Sequence, residues 1–301
     1  SMAGGSLTVG ELPSGLAGAE VVVSQVVDGA PHAMGRYLVT AVSAQLGVGV
    51  AHTLELIDRT IIAERQRLLA PLSLPRGSHP VSVVRQRMDA LGLGVTVDDD
   101  DKTLRAPMAW DVGTTELTVA NDLLKAIGFD PIRPDGLELV SHPWLDAEAA
   151  ASTWWADEGD EGWHVVNYGI DSDHLAIVNR VSGCTAASGD VPALRSVMED
   201  WRTTEWSHDA RGHWLDAAPI QSSAVTQAVL DAEVRAAFVA RQATASMTLS
   251  HAWDERVRPN AVGWVESDAH PREVTGRWLV TGQSMPITGT PLVSSTLRRL
   301  P

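Results

Sequence analysis

Residues 52–92 read "HTLELIDRTIIAERQRLLAPLSLPRGSHPVSVVRQRMDALG", and within them one hydrophobic period gives way to another. At the start, His52, Leu54 and Leu56 alternate with Thr53, Glu55 and Ile57, the pattern of a strand with one wetter face. After Pro71, Pro75 and Gly77 the spacing becomes helical. Ser78 stands as N-cap, Pro80 sits in the first turn, Val81, Val84, Met88 and Leu91 form a stripe, and Gly92 terminates it. A strand handed through a Pro/Gly segment into a capped helix is the grammar of a mixed fold.

Upstream, residues 19–28, 36–45 and 50–59 are β-branched runs broken by Gly, Pro and Asp, as in antiparallel strands in succession. Downstream, residues 93–106 read as a strand running into an acidic turn. Residues 113–130 repeat the helical grammar: Thr114 or Thr115 caps, Leu117, Ala120, Leu124 and Ile127 form the stripe, and Gly128 stops it. Past residue 150 the texture changes. Six of the eleven tryptophans, Trp154, Trp155, Trp163, Trp201, Trp206 and Trp214, are interleaved with glycines and acids. Residues 174–183 read as a buried strand. A long helix follows, capped by Ser222 or Ser223, with Val225, Ala228, Val229, Ala232, Ala236, Val239, Ala240 and Ala243 on one closely packed face. Strands near 246–252, 261–266, 274–283 and 291–300 close the chain. The whole reads as β-rich α+β.

Bulk properties narrow the function classes. A chain of 301 residues that is 44% hydrophobic can bury a core of ordinary size. No apolar run approaches the ~20 residues that span a bilayer, and no signal-peptide pattern opens the chain. Residues 1–6, "SMAGGS", read as a tag scar and flexible leader. With 23 basic and 38 acidic residues the net charge is −15, which argues against gripping a phosphate backbone. Lys102 and Lys125 are the only lysines, a compositional bias. The single Cys184 excludes an internal disulfide and a thiolate metal cage, and reads as a small buried hydrophobe.

Motifs that would carry chemistry are sparse. "GQSMP" at 282–286 lacks the second glycine of a nucleophile elbow. No Walker loop is present, and "GVGVAH" and "GLGVTV" read as turns. "HDARGH" sets His208 and His213 five apart around Asp209, a spacing that suits solvated loop histidines better than a zinc site. His79, His142 and His270 each precede a proline and read as structural. "DDDD" at 98–101 lacks the glycine and alternating ligands of a calcium loop. The best enzymatic reading is "TWWADEGDEGWH", where Glu158 and Glu161 among Trp154, Trp155 and Trp163 supply paired carboxylates and aromatic faces for a glycosidase. The same tryptophans, Trp155 first, suit a carbohydrate- or receptor-binding module without catalysis. Four carboxylates in five positions more often make a solvated loop. No catalytic, cofactor or metal residue is therefore assigned.

The order of elements resembles the baseplate hub, or tail-tip hub, proteins of tailed bacteriophages, especially long-tailed phages and prophages of actinobacteria. Asp58 and Arg59, then Pro71, Leu72, Leu74, Pro75, Gly77 and Ser78, match the family's D-R and P-L-x-[LI]-P-x-G-[ST] segments. "LLKAIGFDPIRPDGLELV" matches its helix, turn and strand pair, and "WLVTGQSMPITGTPLVSSTLRRL" its closing hairpin. Asn260 and Ala261 depart from a usual Gly-Asp, and the first strand of the N-terminal barrel is missing from the pattern. The resemblance implies two small tube-like antiparallel β-barrels with peripheral α+β elements. It divides the chain into a leader (1–6), an incomplete N-terminal barrel (7–75), a peripheral α+β domain (76–150) and a second barrel with the tryptophan-rich insertion and long helix (151–301). It further implies a homotrimer at the virion tail tip, assembled in the bacterial host cytoplasm. Such a trimer meets distal tail and fibre or spike proteins and passes DNA without binding it, with no cofactor and no membrane span.

Overall fold

The computed structural model describes residues 4–9, 16, 18–27, 29–46, 50–157, 167–171, 177–242, 245–268, 270, 272, 274–285 and 292–300. They form two units, the first made of residues 1–144, 185–193 and 222–229 and the second of the remainder.

In the first unit, β1 (Gly4–Val9), β2 (Glu20–Val27), β3 (Ala30–Leu46) and β4 (Val50–Asp58) form an antiparallel sheet of order β1-β4-β3-β2. The alternation read in residues 52–57 holds, for Leu54 and Leu56 are buried with Val39, packed by Leu16, Val21, Val23 and Tyr37, while Glu55 is exposed. The seventeen-residue β3 carries two bulges, where Met34 and Thr40 have no partner in the register, and such insertions bend and twist a strand. Residues 4–6, read as a leader, lie in β1, which pairs with β4 from Gly4↔Ile57 to Val9↔His52. This is the strand missing from the sequence pattern. "GGSLTV" lacks a β-branched run, and its conformation is set by β4's hydrogen bonds.

The D-R motif turns β4 into α1 (Thr60–Arg65), a helix the sequence pattern did not indicate. Asp58 is fully buried, and its carboxylate accepts from the Thr60 backbone N–H at 2.8 Å and from the Thr60 hydroxyl. Arg59 donates to the Gly92 carbonyl at 2.9 Å and pairs with Glu20 at 3.3 Å. β5 (Leu72–Leu74), α2 (Pro80–Ala90), β6 (Val95–Val97), β7 (Met108–Trp110), α3 (Glu116–Ile127), β8 (Arg133–Asp135) and β9 (Glu138–Ser141) follow. α2 starts one residue later than expected, with His79 as N-cap, because the Ser78 hydroxyl donates back to Pro75 O at 2.8 Å and tightens the turn that carries Gly77 at φ 86°. Thr115 caps α3 by accepting from Thr118 N at 3.1 Å, and Gly128 ends it in the left-handed region at φ 86°. Both helical stripes enter one core, with Val84, Met88, Leu123 and Leu124 essentially inaccessible. Arg87 grips Glu116 through two 2.6 Å bonds and ties α2 to α3.

The second unit contains β10 (Trp154–Ala156), β11 (Asn167–Asp171), β12 (Arg180–Thr185), β13 (Arg195–Glu199), α4 (His208–Arg211), β14 (Ile220–Ser222), α5 (Gln227–Gln242, from Leu230 on), β15 (Ser246–Ala252), β16 (Val262–Val265), β17 (Gly276–Ser284) and β18 (Leu292–Arg299). The buried strand read at 174–183 begins only at Arg180; residues 174–176 lie outside the described residues. α5 also differs. Thr226 accepts from Val229 N at 3.2 Å in place of a serine cap, and Leu230, Val234 and Phe238 are buried while Ala228, Ala232 and Ala236 face outward. The larger side chains gain more from leaving water than the alanines do. Close approach comes from the sheet, since a Cβ on Gly183 would stand 2.6 Å from Val234 Cγ2.

The four closing strands join β10 and β11 in a six-stranded sheet of order β10-β16-β17-β18-β15-β11. One face carries Trp154, Met247, Leu249, Val265, Trp278, Val280 and Leu297, all buried. Trp154 and Gly263 are register partners on the parallel pair β10/β16, and the indole lies over the glycine. Asn260 takes φ 70° in the turn before β16, a conformation that Asn tolerates better than most residues and Gly best. That accounts for Asn260 standing where the family pattern has glycine. Among the described residues the four-stranded and the six-stranded sheet both have open strand orders.

A Cβ at position 263 would lie 2.0 Å from Trp154 Cε2, whereas at Gly282 the nearest atom is 4.0 Å away. We expect Gly263→Ala to destabilise the fold by about 1–3 kcal/mol and Gly282→Ala to cost much less. Thermal melts of both variants check this; equal midpoints would remove the indole from that glycine.

Candidate functional site

The residues considered for chemistry are dispersed or already engaged. Glu158, Glu161 and Trp163 lie outside the described residues. Their neighbours diverge: Trp154 is buried, and Trp155 is 54% exposed on the opposite face of β10. In the acidic turn, Asp98 meets His142 at 3.0 Å, Asp99 pairs with Arg85 at 2.8 Å, and Asp100 pairs with Lys102. These carboxylates are matched by basic groups and frame no cation cavity. His208 stacks on tryptophans, and the His213 ring N–H donates to Arg211 O at 2.9 Å, so the two do not converge as ligands. Among the described residues no group of three metal-ligating side chains occurs. Ser284 lies in the extended β17 opposite Ser294. Cys184 is half-buried, contrary to expectation, with its thiol 3.7 Å from Gln221 Oε1.

One constellation escaped the sequence reading because its members stand 44 residues apart. His251 on β15 and Ser295 on β18 lie on the inward face, both at 0% exposure. His251 Nδ1 is 2.6 Å from Ala252 O, a pure acceptor, so the ring proton sits there and Nε2 accepts from the Ser295 hydroxyl at 2.8 Å. Gln283 Nε2 donates to the same hydroxyl at 3.4 Å and to Val257 O at 2.9 Å. The pair has the distance of a nucleophile and its base, yet no reacting carbonyl can reach a fully enclosed serine. It is a buried polar clasp across the sheet.

Several exposed apolar side chains lie at or beside the sheet edges. β1 and β2 border the first sheet, and β10 and β11 the second, each with a strand neighbour on one side among the described residues. On β2, "EVVVSQVV", Val22 is 50% and Val26 66% exposed, with no lysine, proline or bulge of its own to blunt the edge. On β10, Trp155 faces outward beside its register partner Trp264, which is 39% exposed. Three antiparallel steps separate β1 from β2, so they run in opposite directions.

Burial holds the His251 imidazole below its usual value of 6.5. The unfolded chain therefore binds this proton first. The stability contributed is complete above about pH 6.5 and is lost as pH falls toward the depressed folded value. Denaturant titrations from pH 7.5 to 5 are expected to show that decline, reduced in His251→Gln. Ser295→Ala is expected to cost about 1–3 kcal/mol at neutral pH by removing a buried hydroxyl partner. A pH profile unchanged by His251→Gln would contradict the buried neutral ring.

No protein-family model matches the chain, and no curated protein matches it. Solved structures do. A tail protein from Neisseria meningitidis MC58 aligns over 98% of this chain and 87% of its own, at TM-score 0.68 and 13% identity. The 43 kDa tail protein of prophage MuSo2 from Shewanella oneidensis aligns over 99% and 88%, at 0.63 and 10%. The E. coli c3393 protein, a type VI secretion component described as similar to the T4 bacteriophage tail proteins gp27 and gp5, aligns over 100% and 70%, at 0.58 and 10%. The chain thus shares, along nearly its whole length, the β-rich α+β fold of phage tail and baseplate proteins.

Proposed function

We propose that this chain is a structural component of a phage tail tip, a baseplate hub that joins the tail tube to the distal host-recognition apparatus. The observation that carries the reading is the fold itself, similar over 98% of the chain to a tail protein from Neisseria meningitidis and over 99% to a prophage tail protein from Shewanella oneidensis. The edges support it. An unguarded strand such as β2 invites unwanted association in a free monomer and becomes an assembly device once a neighbour covers it. Because β1 and β2 run in opposite directions, β1 of one copy laid along β2 of another continues an antiparallel sheet. The tube-like barrels that the sequence resemblance implies would then be completed between copies of a homotrimer.

On this reading the lumen passes DNA without holding it, and a net charge of −15 suits a wall that phosphate must slide past. The role is mechanical, the location is the virion tail tip after assembly in the bacterial host cytoplasm, and the partners are distal tail and fibre or spike proteins. No helix among the described residues is long and apolar enough to cross a membrane. The narrower assignment to actinobacterial phages rests on the sequence resemblance alone.

Negative-stain electron microscopy of the full chain, alone and mixed with the tail proteins encoded beside it, tests the proposal. Threefold rings with a central channel are the expected result. A monomer that joins no ring under any of these conditions would overturn it.

A further inference from the structure

Residues 200–217 form a connection, including the short α4, that is held by two buried polar side chains. Asn179, at 0% exposure, donates to Trp206 O at 3.2 Å and His213 O at 3.0 Å and accepts from Leu215 N at 2.7 Å. Asp200, at 4%, accepts from Thr203 N at 2.8 Å, Thr204 Oγ1 at 2.5 Å and Gln242 Nε2 at 3.4 Å. Both ends of the loop are thereby fixed, and with them the rings it carries. Trp201 meets Trp214 edge-on with centroids 4.7 Å apart, and His208 lies 5.0 Å from Trp201 and 4.5 Å from Trp214. The Trp201 N–H donates to Glu199 at 3.0 Å, which sets the plane of the indole, and still 51% of the residue is open.

Charged side chains surround the rings in matched pairs. Arg180 lies 4.8 Å over Trp214 and grips Asp216 through bonds of 2.5 and 2.9 Å, and Arg202 pairs with Asp209 at 2.6 Å. We infer that the Trp201–Trp214–His208 platform is a binding site for a neutral oligosaccharide. The apolar face of a pyranose stacks on an open, pre-oriented indole, and carboxylates and guanidiniums held in pairs offer acceptors and donors to its hydroxyls. Arg180 and Arg202 are answered by Asp216 and Asp209, and Glu199 adds a third carboxylate, so no excess positive charge remains to attract an anionic polymer. The same charges stand beside the rings, whereas the centre of a protein interface is depleted of charged residues. None of its residues belongs to the 154–163 stretch of sequence, and it adds recognition to a structural chain.

The test is titration of the full ¹⁵N-labelled protein with triacetylchitotriose, maltotriose and mannotriose, following the indole N–H signals. At least one sugar is expected to shift the resonance that Trp201→Ala deletes. That substitution is expected to weaken binding by about tenfold or more, as loss of a central aromatic contact does. Trp201→Phe should retain part of the affinity and Trp155→Ala all of it. Should Trp201→Ala lose its fold by circular dichroism, Trp201→Phe and Glu199→Gln decide the matter by reduced affinity in a folded protein. No shift with any of the three sugars at millimolar concentration, or affinity unchanged in the folded variants, overturns the inference. So does a protein partner lost with Trp201→Ala while sugars remain silent.

Discussion

A strand at the border of a sheet carries a row of N–H and C=O groups that have to be satisfied by water or by another strand, and the assembly proposed for this chain follows from where those rows lie. In β2, roughly four N–H groups point away from β3, flanked by Val22 and Val26 at 50% and 66% exposure. Water can serve them, but an apolar, β-branched edge gains more from a partner strand. The opposite edge, β1, has the direction to supply one from a second copy. In the proposed role, assembly would draw directly on this edge chemistry.

The interior shows why those edges stay rigid enough to be used. Gly263 lets the Trp154 indole lie on β16, and Gly183 lets Val234 reach β12, so large side chains settle directly against bare backbone. In the first unit the buried Asp58 carboxylate fixes the turn from β4 into α1, while Arg59 ties that corner to Gly92 and Glu20. The short D-R motif is thus the hinge pin between the sheet and the helical layer. His251 and Ser295 clamp β15 to β18 from inside. The exposed platform around Trp201 is built differently, on polar anchors rather than apolar packing, as befits a loop that keeps its rings in water.

Much of this was legible in residues with local periodicity. The alternation at 52–57, the stripes of α2 and α3, Gly128 as a terminator and the four closing strands all rest on short-range rules that tertiary contacts reinforced. Most of what was illegible depended on contacts distant in sequence. β1 has no pattern of its own and exists through β4. In α5 the alanines suggested a packing face, yet Leu230, Val234 and Phe238 took it because burial rewards area. Ser78 resembled an N-cap, but a carbonyl three residues back captured its hydroxyl. The His251–Ser295 pair and the Trp201 platform join residues that only the fold brings together.

The central claim is that the sheet edges are closed by neighbouring subunits in the working particle. Amide hydrogen exchange measured on Val21 to Val27, in the isolated chain and in assembled tail tips, addresses it directly. The account predicts that alternate β2 amides, open to water in the single chain, become strongly protected on assembly while those already bonded to β3 change little. Identical exchange of the outward amides in both states would contradict it.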